Sequence, residues 1–242
     1  MKKILTLAAA LMVFGASASM ASGLNLNWSN CSDGGVKSLT FACTSNSGSQ
    51  TLFASIVLPT AMPQFAATSA IIDVAVDGGA IPAWWQVLAG QCRAGAIGIT
   101  FDPLNIGGNC LDLWGGNANL SVFQVQPGVN GPDKIRLNSG AAVPAGSELA
   151  LAADGTELSI CKVTITRAKS TGTGSCAGCA NGACIVFNEA KLQQPAGIGD
   201  FTVTNAATAG SNFVTWQSGV ALCPLPTPAQ NRTWGAVTNL YR

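Results

Sequence analysis

The chain has 242 residues, nine cysteines, no histidine, and charged residues at only 10% of the whole, far below the roughly 25% of ordinary globular domains. Beyond residue 21 it carries ten basic against eleven acidic side chains, a balance that gives no electrostatic reason to bind nucleic acid or an anionic membrane. Without an imidazole the usual serine and cysteine hydrolase triads fall away, as do most catalytic zinc sites.

The first residues read as an export signal. Lys2 and Lys3 precede an apolar run over residues 4–14, and Ala16-Ser17-Ala18 or Ser19-Met20-Ala21 supplies a small-residue cleavage site. The run is shorter than the roughly 20 residues needed to span a bilayer, and no later segment is long and apolar enough to hold the chain in one. The first cysteine is Cys31, so a lipid-anchored start is not expected. Residues 1–21 are expected to be a signal peptide and the product to be secreted, extracellular or at the cell surface.

From there period-two alternation recurs and helical periodicity does not. In residues 72–77, Ile72, Val74 and Val76 share one face, Asp73, Ala75 and Asp77 share the other, and Gly78-Gly79 ends the strand. Residues 51–58, 94–101, 120–126, 134–137, 157–167, 183–193, 201–204 and 212–216 read similarly, with Gly, Pro, Asn or Asp between them. Many short strands at this spacing predict an all-β fold: an antiparallel β-sandwich, jelly-roll or immunoglobulin-like, over residues 22–218. In residues 157–167 the apolar phase changes between Ile160 and Cys161, which predicts a bulge or twist near Ile160. Residues 170–181 form a loop of small residues, and residues 219–242, with Pro224, Pro226 and Pro228, read as a tail.

In an oxidising compartment the cysteines are expected to be disulfide staples, here drawn from Cys31, Cys43, Cys92, Cys110, Cys176, Cys179 and Cys184. Nearby pairs such as Cys31 with Cys43 and Cys92 with Cys110 would close short loops. An odd ninth cysteine stays free or joins another chain; Cys161 is either that buried thiol or the partner of Cys223. Cys176-Ala177-Gly178-Cys179 followed by Cys184 could supply three thiolates to zinc, with Cys161 as a fourth. Only one such pair exists and no histidine can help, so no metal or other cofactor is expected.

A glycoside hydrolase would need two carboxylates about 5–9.5 Å apart. Asp73 and Asp77 lie four residues apart on one strand, about 13 Å at roughly 3.3 Å per residue, so such a pair would have to be assembled across strands from Asp102, Asp112, Glu148 or Glu157. For ligand binding the candidates are Trp84, Trp85 and Trp114, since an exposed ring can stack on a sugar or anchor a protein. Core packing is the competing reading for each.

Val143-Pro144-Ala145-Gly146, residues 157–166, Gly172-Thr173-Gly174 and the run from Ile185 to Leu192 together resemble the closing strands of cohesin-like and carbohydrate-binding-like sandwiches. The resemblance covers about a fifth of the chain and implies a jelly roll and, through the cohesins, binding of a dockerin module on a partner enzyme. The cysteine-rich loop departs from that family. The chain as a whole, with Thr233-Trp234-Gly235 and Leu240-Tyr241-Arg242 at its end, resembles uncharacterised exported bacterial proteins, which implies secretion and a shared tail. The expected function is a secreted, non-catalytic binding or structural surface module for a carbohydrate or protein ligand. The alternatives are a self-associating subunit of an extracellular polymer and a carboxylate-dependent glycoside hydrolase.

Overall fold

Alternation of apolar and polar side chains decides the architecture, because successive residues of a strand face opposite sides of its sheet. The structure, a computed structural model, describes residues 21–31, 34–101, 108–219 and 223. The expected signal peptide, apart from Ala21, nearly all of the expected tail, and Asp102 lie outside them. The described strands are β1 (Gly23–Trp28), β2 (Ser38–Leu39), β3 (Ser49–Val57), β4 (Met62–Phe65), β5 (Ala67–Val76), β6 (Ile97–Thr100), β7 (Leu111–Asp112), β8 (Leu120–Pro127), β9 (Lys134–Ala142), β10 (Leu149–Leu151), β11 (Glu157–Thr166), β12 (Ala183–Gln193), β13 (Phe201–Val203) and β14 (Phe213–Trp216).

One sheet runs β1-β3-β11-β6, with β7 parallel beside β11. The other runs β2-β14-β12-β5-β9-β8, with β13 on β12, and β4 with β10 forms a small ribbon. Apart from the parallel β7 and β2 contacts, the pairings are antiparallel. Inward residues of both large sheets, among them Leu24, Leu26, Ile56, Ile72, Ile185 and Phe187, share one continuous core. The fold is thus the all-β, disulfide-stapled sandwich expected. Each fully buried aliphatic side chain in it contributes about 1.5–3 kcal/mol.

β9 runs on to Ala142 where the sequence reading stopped at Leu137, because Asn138, Ser139 and Gly140 pair with β5 on one side and β8 on the other. β11 carries its bulge where the apolar phase changes: the register with β3 shifts between Ser159 and Cys161. Ile160 is left out of that ladder, and the Trp114 indole N–H donates to its carbonyl at 2.8 Å. A second bulge, at Asn188 of β12, shifts the register with β5 between Phe187 and Glu189.

The short-loop disulfide pairings are corrected. Cys31 joins Cys110, Cys43 joins Cys179, Cys92 joins Cys176 and Cys184 joins Cys223. Neighbours in sequence leave on different strands of the sandwich, and each bond instead closes a spatial gap of 5.2–6.1 Å between Cα atoms. The three cysteines of the 176–184 cluster therefore go to three separate partners. Cys161 is the free one, wholly buried in β11, and burial pushes its thiol up to about 12. Gly178, at φ +101°, lets the Cys179 loop lie against Pro82, whose Cβ would come within 2.5 Å of a side-chain carbon there.

Candidate functional site

The tryptophans proposed for ligand contact are core residues. Trp84, Trp85 and Trp114 are 0%, 1% and 0% exposed, and the other described tryptophans, Trp28 and Trp216, are equally buried. Trp84 and Trp85 lie in a single 3-10 turn, Ala83–Trp85, and not on a strand, so adjacency does not send one ring outward. Both rings pack against Trp216 at centroid distances of 5.0 and 5.6 Å, and Trp114 sits between Phe65 and Phe101.

Beneath Trp84 lies Arg93, 2% exposed, its Cζ 3.5 Å from the ring centroid. The guanidinium donates to the carbonyls of Trp84, Ala168 and Thr166. Burial draws its pKa down to about 10. The charge is stabilised by carbonyl dipoles and a π face, with no carboxylate hydrogen-bonded to it among the described residues. This cluster holds the end of the sandwich together and offers nothing to solvent.

The carboxylates considered for catalysis are committed to local structure. Asp112 accepts from the amides of Trp114 and Gly116, which closes the turn after β7. Glu148 accepts from the Gly146 amide. Glu157 accepts from the Ser55 hydroxyl at 2.5 Å and the Asn25 amide at 3.0 Å. It faces Lys37 across a polar cleft of about 540 Å³ beside β1. Lys37 Nζ donates to the Leu26 and Ser211 carbonyls at 2.5 and 2.6 Å. Burial draws its pKa down to about 8, against an opposing pull from Glu157. The lysine thereby bridges β1 to the loop before β14.

The surface that the core does not account for is the outer face of the larger sheet. Inward phases of β5 and β9 bury Ile72, Val74, Ile135 and Leu137, so the outward phases put Asp73 opposite Arg136 and Ile71 opposite Asn138. β8 adds Gln126 beside Arg136 and Gln124 beside Asn138. Arg136 grips Asp73 with two hydrogen bonds of 2.8 Å, the bidentate geometry that fixes orientation best. The Asn188 bulge turns its amide onto the same carboxylate at 2.9 Å. Asn138 donates to Gln126, and Gln126 to Gln124, at 2.7 and 3.1 Å. The Asp73 contact raises the Arg136 pKa further. Two adjoining polar networks, one on β8 and β9 and one on β9, β5 and β12, thus lie on one partly exposed face.

Beside them the face changes character. Val122 stands opposite Gly140, which stands opposite Ser69; Leu120 stands opposite Ala142, which stands opposite Ala67. The small residues form a shallow floor between Leu120 and Val122 on β8 and Lys191 and Gln193 on β12. Lys191 pairs with Asp200 at 2.7 Å. None of these outward residues was selected from sequence as a site. The signal existed: the alternation that identified residues 72–77 and 120–126 as strands also assigns Asp73, Gln124 and Gln126 to the polar phase.

No protein-family profile matches the chain, and no curated protein matches it. Among solved structures it is similar to the second type II cohesin module from the cellulosomal adaptor ScaA scaffoldin of Acetivibrio cellulolyticus. The match has 9% identity and a TM-score of 0.33, and covers 77% of this chain and 98% of that one.

Proposed function

We propose that this chain is an exported, non-catalytic module that binds a protein through the outer face of its larger sheet. In this reading residues 1–21 are removed on export, residues 22–218 form the binding domain and residues 219–242 are a tail. The observation that carries it is the pair of adjoining networks, Gln124–Gln126–Asn138 and Arg136–Asp73–Asn188. They lie on the side of the sheet away from the core, and their charges of both signs are held in fixed orientation next to exposed aliphatic side chains. Protein interfaces combine these elements: oriented polar groups for specificity and an apolar patch for affinity. A sugar platform would call for exposed rings, whereas the five described tryptophans are buried. The four disulfides suit an oxidising, extracellular setting.

The test is capture by the immobilised mature chain, offered the proteins released by its source cells and, in parallel, a glycan array. The expected result is a retained protein whose affinity drops about tenfold or more with Arg136→Gln, which removes the charge from the face, while stability changes by less than about 1 kcal/mol, as for loss of a partly exposed ion pair. Retention that ignores this substitution, or retention of glycans alone, overturns the proposal.

A further inference from the structure

We infer that two copies of this chain pair antiparallel along β8, joining their larger sheets into one. The long edges of the sandwich are treated differently. β1, at the edge of the smaller sheet, is covered: its Leu24, Leu26 and Trp28 amides donate to the carbonyls of Asn205, Ser211 and Val36 at 2.8–2.9 Å. β8, at the edge of the larger sheet, pairs among the described residues only with β9. The Gly128 amide donates to the Lys134 carbonyl at 2.8 Å, which sets the phase of the hairpin. Even-numbered residues of β8 turn their backbone groups toward β9, and Ser121, Phe123 and Val125 turn theirs outward. Outward donors and acceptors at strand spacing are the recognition chemistry of another strand.

Three features of β8 favour a copy of itself. The segment from Leu120 to Pro127 contains no charged residue, so two copies meet without the like-charge repulsion by which edge strands are commonly blunted. Its Leu120 and Val122 are the two most exposed large apolar side chains among the described residues, at 75% and 71%. A two-fold axis through Phe123 sets Leu120 opposite Gln126 and Val122 opposite Gln124 of the second copy, which covers both aliphatic side chains. Pro127, which lacks an amide hydrogen at an outward position, falls at the end of this register, where the loss of one donor matters least. The pairing is isologous and closes as a dimer. It takes its backbone pairing from the edge and its side-chain contacts from the β8 margin of the outer face, and leaves Arg136, Asp73 and Asn188 uncovered for a protein partner.

The experiment is sedimentation velocity on the full mature, oxidised chain over rising concentration, with Val122→Lys and Ser121→Pro as variants. Both substitutions are at exposed positions, and circular dichroism with melting temperature checks that each still folds. The expected result is a doubling of mass for the natural chain and a dissociation constant raised about tenfold or more in both variants. In addition, a mixture of Val122→Cys and Gln124→Cys chains should cross-link faster than either alone, which tests the register without weakening the strand. A monomer at every concentration, a dimer indifferent to both variants, or a dimer lost on removing residues 224–242 while Val122→Lys leaves it intact would each overturn the inference; the last outcome would assign dimerisation to the tail.

Discussion

Two arginines sit in opposite settings, and the contrast separates framework from site. Arg93 is buried, donates to three backbone carbonyls and stacks under Trp84. Arg136 lies on the outer sheet face, gripping Asp73 with its side chain 25% exposed. The first is required by its surroundings: its removal leaves the buried Trp84 carbonyl without its donor and unties the partly buried carbonyls of Thr166 and Ala168. Nothing in the core requires the second. A charge that the fold can do without, but that is held in one orientation by a bidentate grip on Asp73, is what a recognition surface needs.

The largest effect that would break this contrast is at Arg93. Arg93→Met keeps the stem but strips donors from three carbonyls, and stability should fall by about 3 kcal/mol or more, read as a shift of the urea midpoint. A midpoint close to that of the natural chain would mean the cluster is not framework. Next comes the staple that fixes the same end. Replacing Cys92 and Cys176 together by serine should lower stability by about 2–4 kcal/mol, measured the same way under oxidising conditions. By comparison Asp73→Ala, on the outer face, should change stability by less than about 1 kcal/mol, as for other partly exposed ion pairs. It should nevertheless weaken partner capture. Calorimetry on the free protein and binding on the immobilised one separate the two roles.

The same contrast explains what could be read from the sequence. Strands declared themselves wherever one phase was apolar, as in Ile72, Val74 and Val76, and even the bulge at Ile160 showed as a phase change. β1 had the same signal in Leu24, Leu26 and Trp28 but adjoined the expected cleavage site, and was not read as a strand. Disulfide partners were not legible because they depend on which loops the two sheets bring to one end. Cys43 and Cys179 are 136 residues apart in the chain and 6.1 Å apart in space. The tryptophans misled for a related reason: a bulky aromatic residue in a Gly-rich loop looks equally like an exposed platform and a plug. Only the packing of Trp114 between Phe65 and Phe101 decides for the plug. The outward networks were half legible, since alternation gives the face of Asp73 but not the register that sets Arg136 across from it.

Lys37 lies between the two extremes, and its effect should be the smallest. Its ammonium is held by two carbonyls at the β1 edge, and burial lowers its pKa from 10.5 to about 8. In the unfolded chain the amine keeps its ordinary value, so between pH 8 and 10.5 the unfolded state binds more protons than the folded one. Stability contributed at this position therefore rises as pH rises through that window. Below pH 8 the lysine is charged in both states and desolvation counts against folding. Because the cleft is open to solvent, screening keeps the gain to a fraction of the full linkage value. Other groups titrate in the same range, so the measurement is a difference: the melting temperature of the natural chain should climb relative to Lys37→Met as pH is raised from 7 to 9.5. A constant difference across that range would show that the cleft solvates the ammonium as well as water does, and would move Lys37 from the framework to the surface.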